Sequence, residues 1–242
     1  MKTIIILQAR MGSHRLPGKS LMPVWKDMSL LELVLARITR ARLPDRVVLA
    51  TTRESRDDPL VGIAEKYGVA VVRGSEDDVL GRFVQALDAY PADAVVRACA
   101  DNPLLDPVMI DNLVTFFRDV QPCDYAMNLG PMTGFPDGVG VEMVSAAALR
   151  RVDRETRDPS HREHVLTYIH DNPSFVSKWL YADDAHARPG YRLDIDFPED
   201  MHFVRELVRL LPEASAPHWS TEEIIRTVDE HTDLLKLRKV RT

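Results

Sequence analysis

The sequence predicts an α/β protein built on a doubly wound, mainly parallel sheet. Three observations carry this expectation. The chain opens with a short, unbroken, largely β-branched run, Thr3-Ile4-Ile5-Ile6-Leu7, of the kind buried on both faces of a sheet. Strand, loop and helix then alternate four times with short connections, the pattern of parallel βαβ units. The loops that follow the strands are polar or glycine-rich, as at the ligand-binding carboxyl edge of such sheets.

The elements follow in order. After the first strand, Ser29 caps a helix through about Arg42, with Leu30, Leu31, Leu33, Val34, Ala36 and Ile38 as its apolar face. Arg46 to Ala50 is a second strand ending in Thr51-Thr52, and the acidic cap and proline of Asp58-Pro59 open a helix that stops at Gly68. Val69 to Val72 is a third strand, followed by Arg73-Gly74-Ser75, and Ser75 with Asp78 starts a helix through about Ala89. Asp93 to Cys99 is a fourth strand, running into Ala100-Asp101-Asn102-Pro103, and Asp106-Pro107 opens the next helix. The rhythm changes from Tyr125 to Val144, where the glycines and prolines suggest a long functional loop and then a strand. Ser145 to Asp153 reads as a short helix, and Ser160 caps another carrying His161, Arg162, Glu163 and His164. Phe175 to Tyr181 and Tyr191 to Ile195 read as strands, Pro198 opens a core helix through about Leu211, and Ser220 or Thr221 starts the last helix. The basic tail from Lys236 is expected to be loosely held.

With 242 residues, 45% of them hydrophobic and 28% charged, the chain suits a single globular domain. A net charge of −6 argues against a nucleic-acid partner. Cys99 and Cys123 are too few for a disulfide framework or a four-thiolate metal site. No apolar stretch has the length of a membrane span or the form of a signal peptide, so a cytoplasmic protein without membrane partners is expected.

The segment after the first strand concentrates charge. Arg10, Arg15 and Lys19 are spaced by Gly12, Ser13, Pro17 and Gly18, which let backbone N–H groups approach a ligand and stiffen the loop. Fixed cations at the carboxyl end of a first strand make a polyanion site, best suited to a nucleoside triphosphate. A P-loop is excluded, because five residues separate Gly12 from Gly18 where that motif has four. Two acidic positions complement the loop. Asp101 follows the fourth strand, and Asp194-Ile195-Asp196-Phe197-Pro198-Glu199-Asp200 places Asp194 and Asp196 on one side of an extended segment. Mg²⁺ uses one or two carboxylates together with substrate phosphates. Glu199 and Asp200 fall in a first helical turn, where negative charge is structural.

Gln8-Ala9-Arg10-Met11-Gly12-Ser13 and Arg15-Leu16-Pro17-Gly18-Lys19 resemble the signature of the sugar cytidylyltransferases, which include the acylneuraminate and 3-deoxy-manno-octulosonate enzymes. The chain is most similar to the spore-coat polysaccharide biosynthesis branch, with His14 in place of a small polar residue. The resemblance covers nearly the whole chain. It implies a Rossmann-like sheet of the nucleotide-diphospho-sugar transferase type with a small α+β appendage. One domain, 1–242, would have a nucleotide-binding half (1–120) and an acceptor-side and dimerisation half (121–242), as a homodimer. It implies Arg10, Lys19 and Asp101 as catalytic residues, and Mg²⁺ on Asp101 and Asp196. The substrates, CTP and a small acidic acceptor, would be contacted by Ala9, Ser13, Arg15, Thr51, Arg73, Gly74, Ser75, Glu142, Arg162 and His164. For Glu142 a structural ion pair is an equal alternative. Arg162-Glu163-His164 matches an Arg-Glu-His stretch of the branch, making Arg162 the candidate grip for an acceptor carboxylate or phosphate. His161 and His164 face one way on a helix, but zinc needs a third ligand.

The activity implied is CMP transfer from CTP to an acidic sugar or related acid, releasing pyrophosphate. The alternatives are transfer to a sugar phosphate or phosphonate, a glycosyltransferase-like enzyme, and a non-catalytic nucleotide-binding protein.

Overall fold

The structure, a computed structural model, describes residues 1–13 and 15–238. His14 and the tail residues 239–242 lie outside the described residues. The chain opens with β1 (Thr3–Gln8), forms a hairpin of β2 (Pro23–Trp25) and β3 (Met28–Ser29), and enters α1 (Leu30–Ile38). The alternation continues through β4 (Arg46–Thr52), α2 (Asp58–Lys66), β5 (Ala70–Gly74), α3 (Val79–Ala89), β6 (Ala94–Cys99) and α4 (Pro107–Asp119). Then come β7 (Tyr125–Met127), β8 (Glu142–Ser145), α5 (Ala146–Glu155), α6 (Pro159–His164), α7 (Thr167–His170) and β9 (Ser177–Trp179). Helices α8 (Pro198–Leu210) and α9 (Thr221–Glu230) precede a final 3-10 turn, Thr232–Leu237.

Seven strands form one sheet in the order β5-β4-β1-β6-β8-β7-β9. β1, β4, β5 and β6 are mutually parallel, while β8 runs antiparallel to both β6 and β7. β7 and β9 are parallel to each other, so β8 alone runs against the rest of this sheet. The apolar run of β1 follows from its central position. Ile4 and Ile6 pack into the layer of α3 and α5, Ile5 and Leu7 into the layer of α1, α4 and α8, and all four are fully buried. The glycine-rich second half adds strands to the same sheet. Gly140 makes one of these pairings possible, since a Cβ there would lie 2.0 Å from the Asn128 carbonyl oxygen.

Several local expectations are corrected. α1 ends at Ile38 because Thr39 caps it and Asp111 accepts the Arg42 and Leu43 N–H groups at 2.9 Å. α3 is capped by Asp78, which accepts from Gly81 N at 2.8 Å, leaving Ser75 in the preceding loop. α6 is capped by Asp158 rather than Ser160, and Asp58 is the first residue of α2 rather than its cap. Residues 191–195 form no strand. A single bridge joins Asp137 to Arg192, and Ile195 N donates at 2.8 Å to the Asp101 carbonyl, so the segment crosses loops instead of lying beside a strand. The tail is not loose at Arg238, whose guanidinium is almost buried between Asp200 (2.8 Å) and Asp194 (3.1 Å). Among the described residues no helix is long and apolar enough to cross a membrane.

His186 ties the 183–186 loop to α9, with Nδ1 2.6 Å from Asp183 and Nε2 2.8 Å from Glu222. Burial works against its charge, but the two carboxylates outweigh burial and raise its pKa above the ordinary 6.5. A pKa higher in the folded than in the unfolded chain stabilises the fold fully below about 6.5, and that contribution is lost as pH rises through the raised value. Melting temperature is therefore expected to decline as pH rises across this window, and less steeply in His186→Asn. An identical slope in the variant would contradict this.

Candidate active site

The segment after β1 leaves the sheet at its carboxyl edge and is pinned by neighbours. Met11 N donates to Asp57 Oδ1 at 2.8 Å, Leu16 N donates to Ser13 Oγ at 3.3 Å, and the Leu16 side chain is buried. Asp57, itself fully buried, also accepts from Thr51 Oγ1 at 3.1 Å and Thr52 Oγ1 at 2.5 Å. The loop is thereby fastened to the end of β4. Gly18 has φ +75°, a left-handed conformation that turns the chain into the 3-10 helix Lys19–Leu21.

That turn brings Lys19 between the two acidic segments. Its Nζ donates to the Ile195 carbonyl at 2.6 Å and to Asp101 Oδ2 at 3.1 Å, and lies 3.5 Å from Asp196 Oδ1. Arg15 Nη2 is 2.8 Å from the same Asp196 oxygen, and its guanidinium lies over the Phe197 ring. Arg10 Nη2 is 2.8 Å from Glu163 Oε1, and its Nη1 donates to the Glu76 carbonyl at 3.1 Å. Ala9, Arg10, Ser13, Arg15, Lys19, Asp101, His164 and Asp196 all line one cleft of about 590 Å³. The residues come from the β1 loop, the β6 loop, α6 and the approach to α8, so only the sheet brings them together.

The cytidylyltransferase family model matches residues 4–231. The chain is a cytidylyltransferase-family protein. It is 34% identical over 236 residues to the spore coat polysaccharide biosynthesis protein SpsF of Bacillus subtilis strain 168, covering 95% of each chain. It is 27% identical to an 8-amino-3,8-dideoxy-manno-octulosonate cytidylyltransferase of Shewanella frigidimarina, covering 79% of this chain and 72% of that one. A solved cytidylyltransferase structure from Leptospira borgpetersenii serovar Hardjo-bovis superposes over 100% of both chains with a TM-score of 0.90 at 30% identity. The chain is therefore an enzyme of the nucleotidyltransferase class.

Other expected site residues of this cytidylyltransferase lie outside the cleft lining. Thr51 is fully buried against Asp57. Arg73 binds the carbonyls of Thr52 (2.7 Å) and Glu54 (2.9 Å) and pairs with Asp58 (2.7 Å), so it braces the β4–α2 connection. Ser75 offers its carbonyl to Arg82. Gly74 matters through what it lacks, since a Cβ there would come within 2.7 Å of Arg82 Cγ. Glu142 pairs with Arg97 and accepts from the Tyr125 hydroxyl at 2.6 Å, which is the structural ion pair. Arg162 forks onto Asp78 at 2.9 and 2.7 Å and reaches Asp153 at 2.9 Å, locking α6 to the caps and ends of α3 and α5. Arg162→Ala is expected to remove about 1–3 kcal/mol and lower the melting temperature by several degrees. Unchanged melting with a raised acceptor KM would return Arg162 to the acceptor. His161 Nδ1 sits 3.1 Å from Thr156 Oγ1, and the described residues contain no group of three His, Cys, Asp or Glu placed to hold a metal.

Four residues with little or no prior assignment also line the cleft: Arg82, Arg97, Asp137 and Glu163. Arg82 shares a helical face with Val79, Phe83 and Ala86, so a cation on an apolar stripe was the available signal. Arg97 interrupts the apolar strand β6 in the same way. Burial, and then the Arg10 charge, pulls the Arg82 guanidinium below its ordinary value. Burial, reinforced by Asp194, pushes the Asp137 carboxyl up. Burial pushes the Cys99 thiol up to about 12, so it stays protonated and is no nucleophile at neutral pH.

Proposed function

We propose that this enzyme transfers CMP from CTP to an acidic sugar or a related acid. An acceptor oxygen attacks the α-phosphorus, the bond from that phosphorus to the bridging oxygen breaks, and pyrophosphate leaves. One observation carries the reading: Arg10, Arg15 and Lys19, all from one loop, line a single cleft with Asp101 and Asp196, and Arg15 and Lys19 pair with those acids. Three cations suit a triphosphate better than the diphosphate of a nucleotide sugar, which a glycosyltransferase would consume. Such chemistry rests on positioning and on neutralising charge as it develops. Arg10, Arg15 and Lys19 hold the phosphates and stabilise the leaving pyrophosphate, while Ala9 and Ser13 sit on the nucleotide side. The Shewanella relative, named for an octulosonate acid, supports the acceptor class.

The donor set also fits a divalent cation. Two carboxylates and the Ile195 carbonyl already converge on one positive charge, the Lys19 ammonium. Asp101 and Asp196 would hold Mg²⁺, with phosphate oxygens and water supplying the other ligands, as this hard ion prefers. When bound, it polarises the α-phosphate.

The test incubates the protein with each nucleoside triphosphate, Mg²⁺ and a panel of acidic sugars, sugar phosphates and phosphonates, and measures pyrophosphate. Release with CTP and an acid alone is expected. Release only with a sugar phosphate, or none with any triphosphate, would overturn the reading. A homodimer assembled through residues 121–242 belongs to the same proposal, and light scattering at the 27.4 kDa of one chain would remove it.

A further inference from the structure

We infer that Arg82, beside Arg10, forms a buried subsite for the pyrophosphate portion of the nucleotide, and that Glu163 holds its place until phosphate displaces it. The inference rests on the triphosphate reading above and adds a residue to it.

Arg82 is only 2% exposed, yet it lines the cleft. Among the described residues its hydrogen bonds all run from one nitrogen, Nη1, to the carbonyls of Ser75 and Glu76. Arg10 Nη1 donates to the same Glu76 carbonyl, each at 3.1 Å, so the two guanidiniums stand side by side. The Arg82 Nε is buried and, among the described residues, has no partner. Nε–H and Nη2–H of a guanidinium point in parallel and match two oxygens of one phosphate. A buried cation with that edge unfilled is costly, and an oxyanion removes the cost. Gly74 leaves the space through which the side chain passes.

Among the described residues, Glu163 is the single carboxylate hydrogen-bonded to the pair, through Arg10 Nη2 at 2.8 Å. Its side chain is 35% exposed, so it is free to retreat into solvent. Asp57 and Asp78 also act on Arg82 through space, but Glu163 is the carboxylate hydrogen-bonded to the pair, and a phosphate brings more negative charge and more acceptor oxygens than a carboxylate. Arg10 belongs to the same loop as Arg15 and Lys19, which makes the subsite continuous with the phosphate-facing loop and favours phosphate over the acceptor acid.

The experiment is calorimetry on the full chain with inorganic pyrophosphate and, separately, CMP, in metal-free buffer so that the protein's own cations are read. Glu163→Gln keeps the shape and removes the competing charge. It is expected to bind pyrophosphate at least threefold more tightly, with CMP affinity unchanged. Arg82→Lys keeps the charge and loses the fork, and is expected to bind pyrophosphate at least tenfold more weakly, again with CMP unchanged. Should Arg82→Lys fail to fold, Glu163→Gln decides alone. Pyrophosphate affinity in Glu163→Gln equal to or below that of the unaltered protein overturns the proposal. So does an Arg82→Lys variant that folds and binds pyrophosphate as tightly as the unaltered protein. Failure of the cytidylyl reading is distinguishable, because it shows as pyrophosphate binding without CMP binding in the unaltered protein.

Discussion

Asp196→Asn is expected to lower kcat more than tenfold while the melting temperature stays within about 4 °C, the span of roughly 1 kcal/mol for a chain of this size. The amide keeps the shape of the carboxylate and removes its charge. That charge faces Arg15 at 2.8 Å and Lys19 at 3.5 Å in a side chain only 14% exposed. A carboxylate whose charge supports a bound cation in the transition state by about 1.5–3 kcal/mol accounts for roughly one to two powers of ten in rate. Asp101→Asn should follow the same direction, because Lys19 bridges the two acids and Ile195 N ties their segments together. Initial rates across a Mg²⁺ titration check both variants. Near-unaltered rates in the two, or full activity of the unaltered protein in EDTA, would remove the carboxylate-held metal.

The largest stability effect is expected from Arg37→Ala, a loss of about 3–5 kcal/mol and a fall in melting temperature on the order of 10 °C. Arg37 is fully buried in α1, and its guanidinium donates to four carbonyls: Leu105 (2.9 Å), Leu104 (3.2 Å), Pro217 (2.5 Å) and Trp219 (2.8 Å). Burial pulls its pKa down to about 10, against the Asp106 and Glu223 charges that support the cation, so it is still protonated at neutral pH. Truncation leaves a cavity and strands the four acceptors away from water. The 104–105 carbonyls directly follow the Asp101 loop, so this residue braces the segment that leaves that loop. Urea and thermal unfolding measure the effect. A change in melting temperature below about 2 °C would show that water or neighbouring donors replace the guanidinium.

Much of the fold was legible because its signals are local. The apolar run of β1, the Ser29 and Ser220 capping boxes with Glu32 and Glu223, and the Asp106-Pro107 start of α4 each depend on residues within one turn. The basic loop was legible for the same reason, since its glycines and cations are contiguous and directly follow a strand. The appeal of a strand at 191–195 came from an apolar alternation that is real, with Leu193 and Ile195 both buried. Its backbone, however, bonds to Asp137 and to Asp101 in different loops, and no local pattern reports that choice.

The sequence by itself determined the α/β alternation, the loop that carries Arg10, Arg15 and Lys19, and the acids Asp101 and Asp196. Propensity, capping and spacing act over a few residues, and these features lie within that range. Only the tertiary structure decided how charges pair over long separations. It joined Arg162 to Asp78 across 84 positions and Arg10 to Glu163 across 153, gave Glu142 to Arg97, and drew Arg238 onto Asp194 and Asp200. An arginine reads alike in sequence whether it will meet a substrate or a buried carboxylate. Burial and the geometry of the packed elements choose between them, because a cation removed from water needs its partner at hydrogen-bond distance.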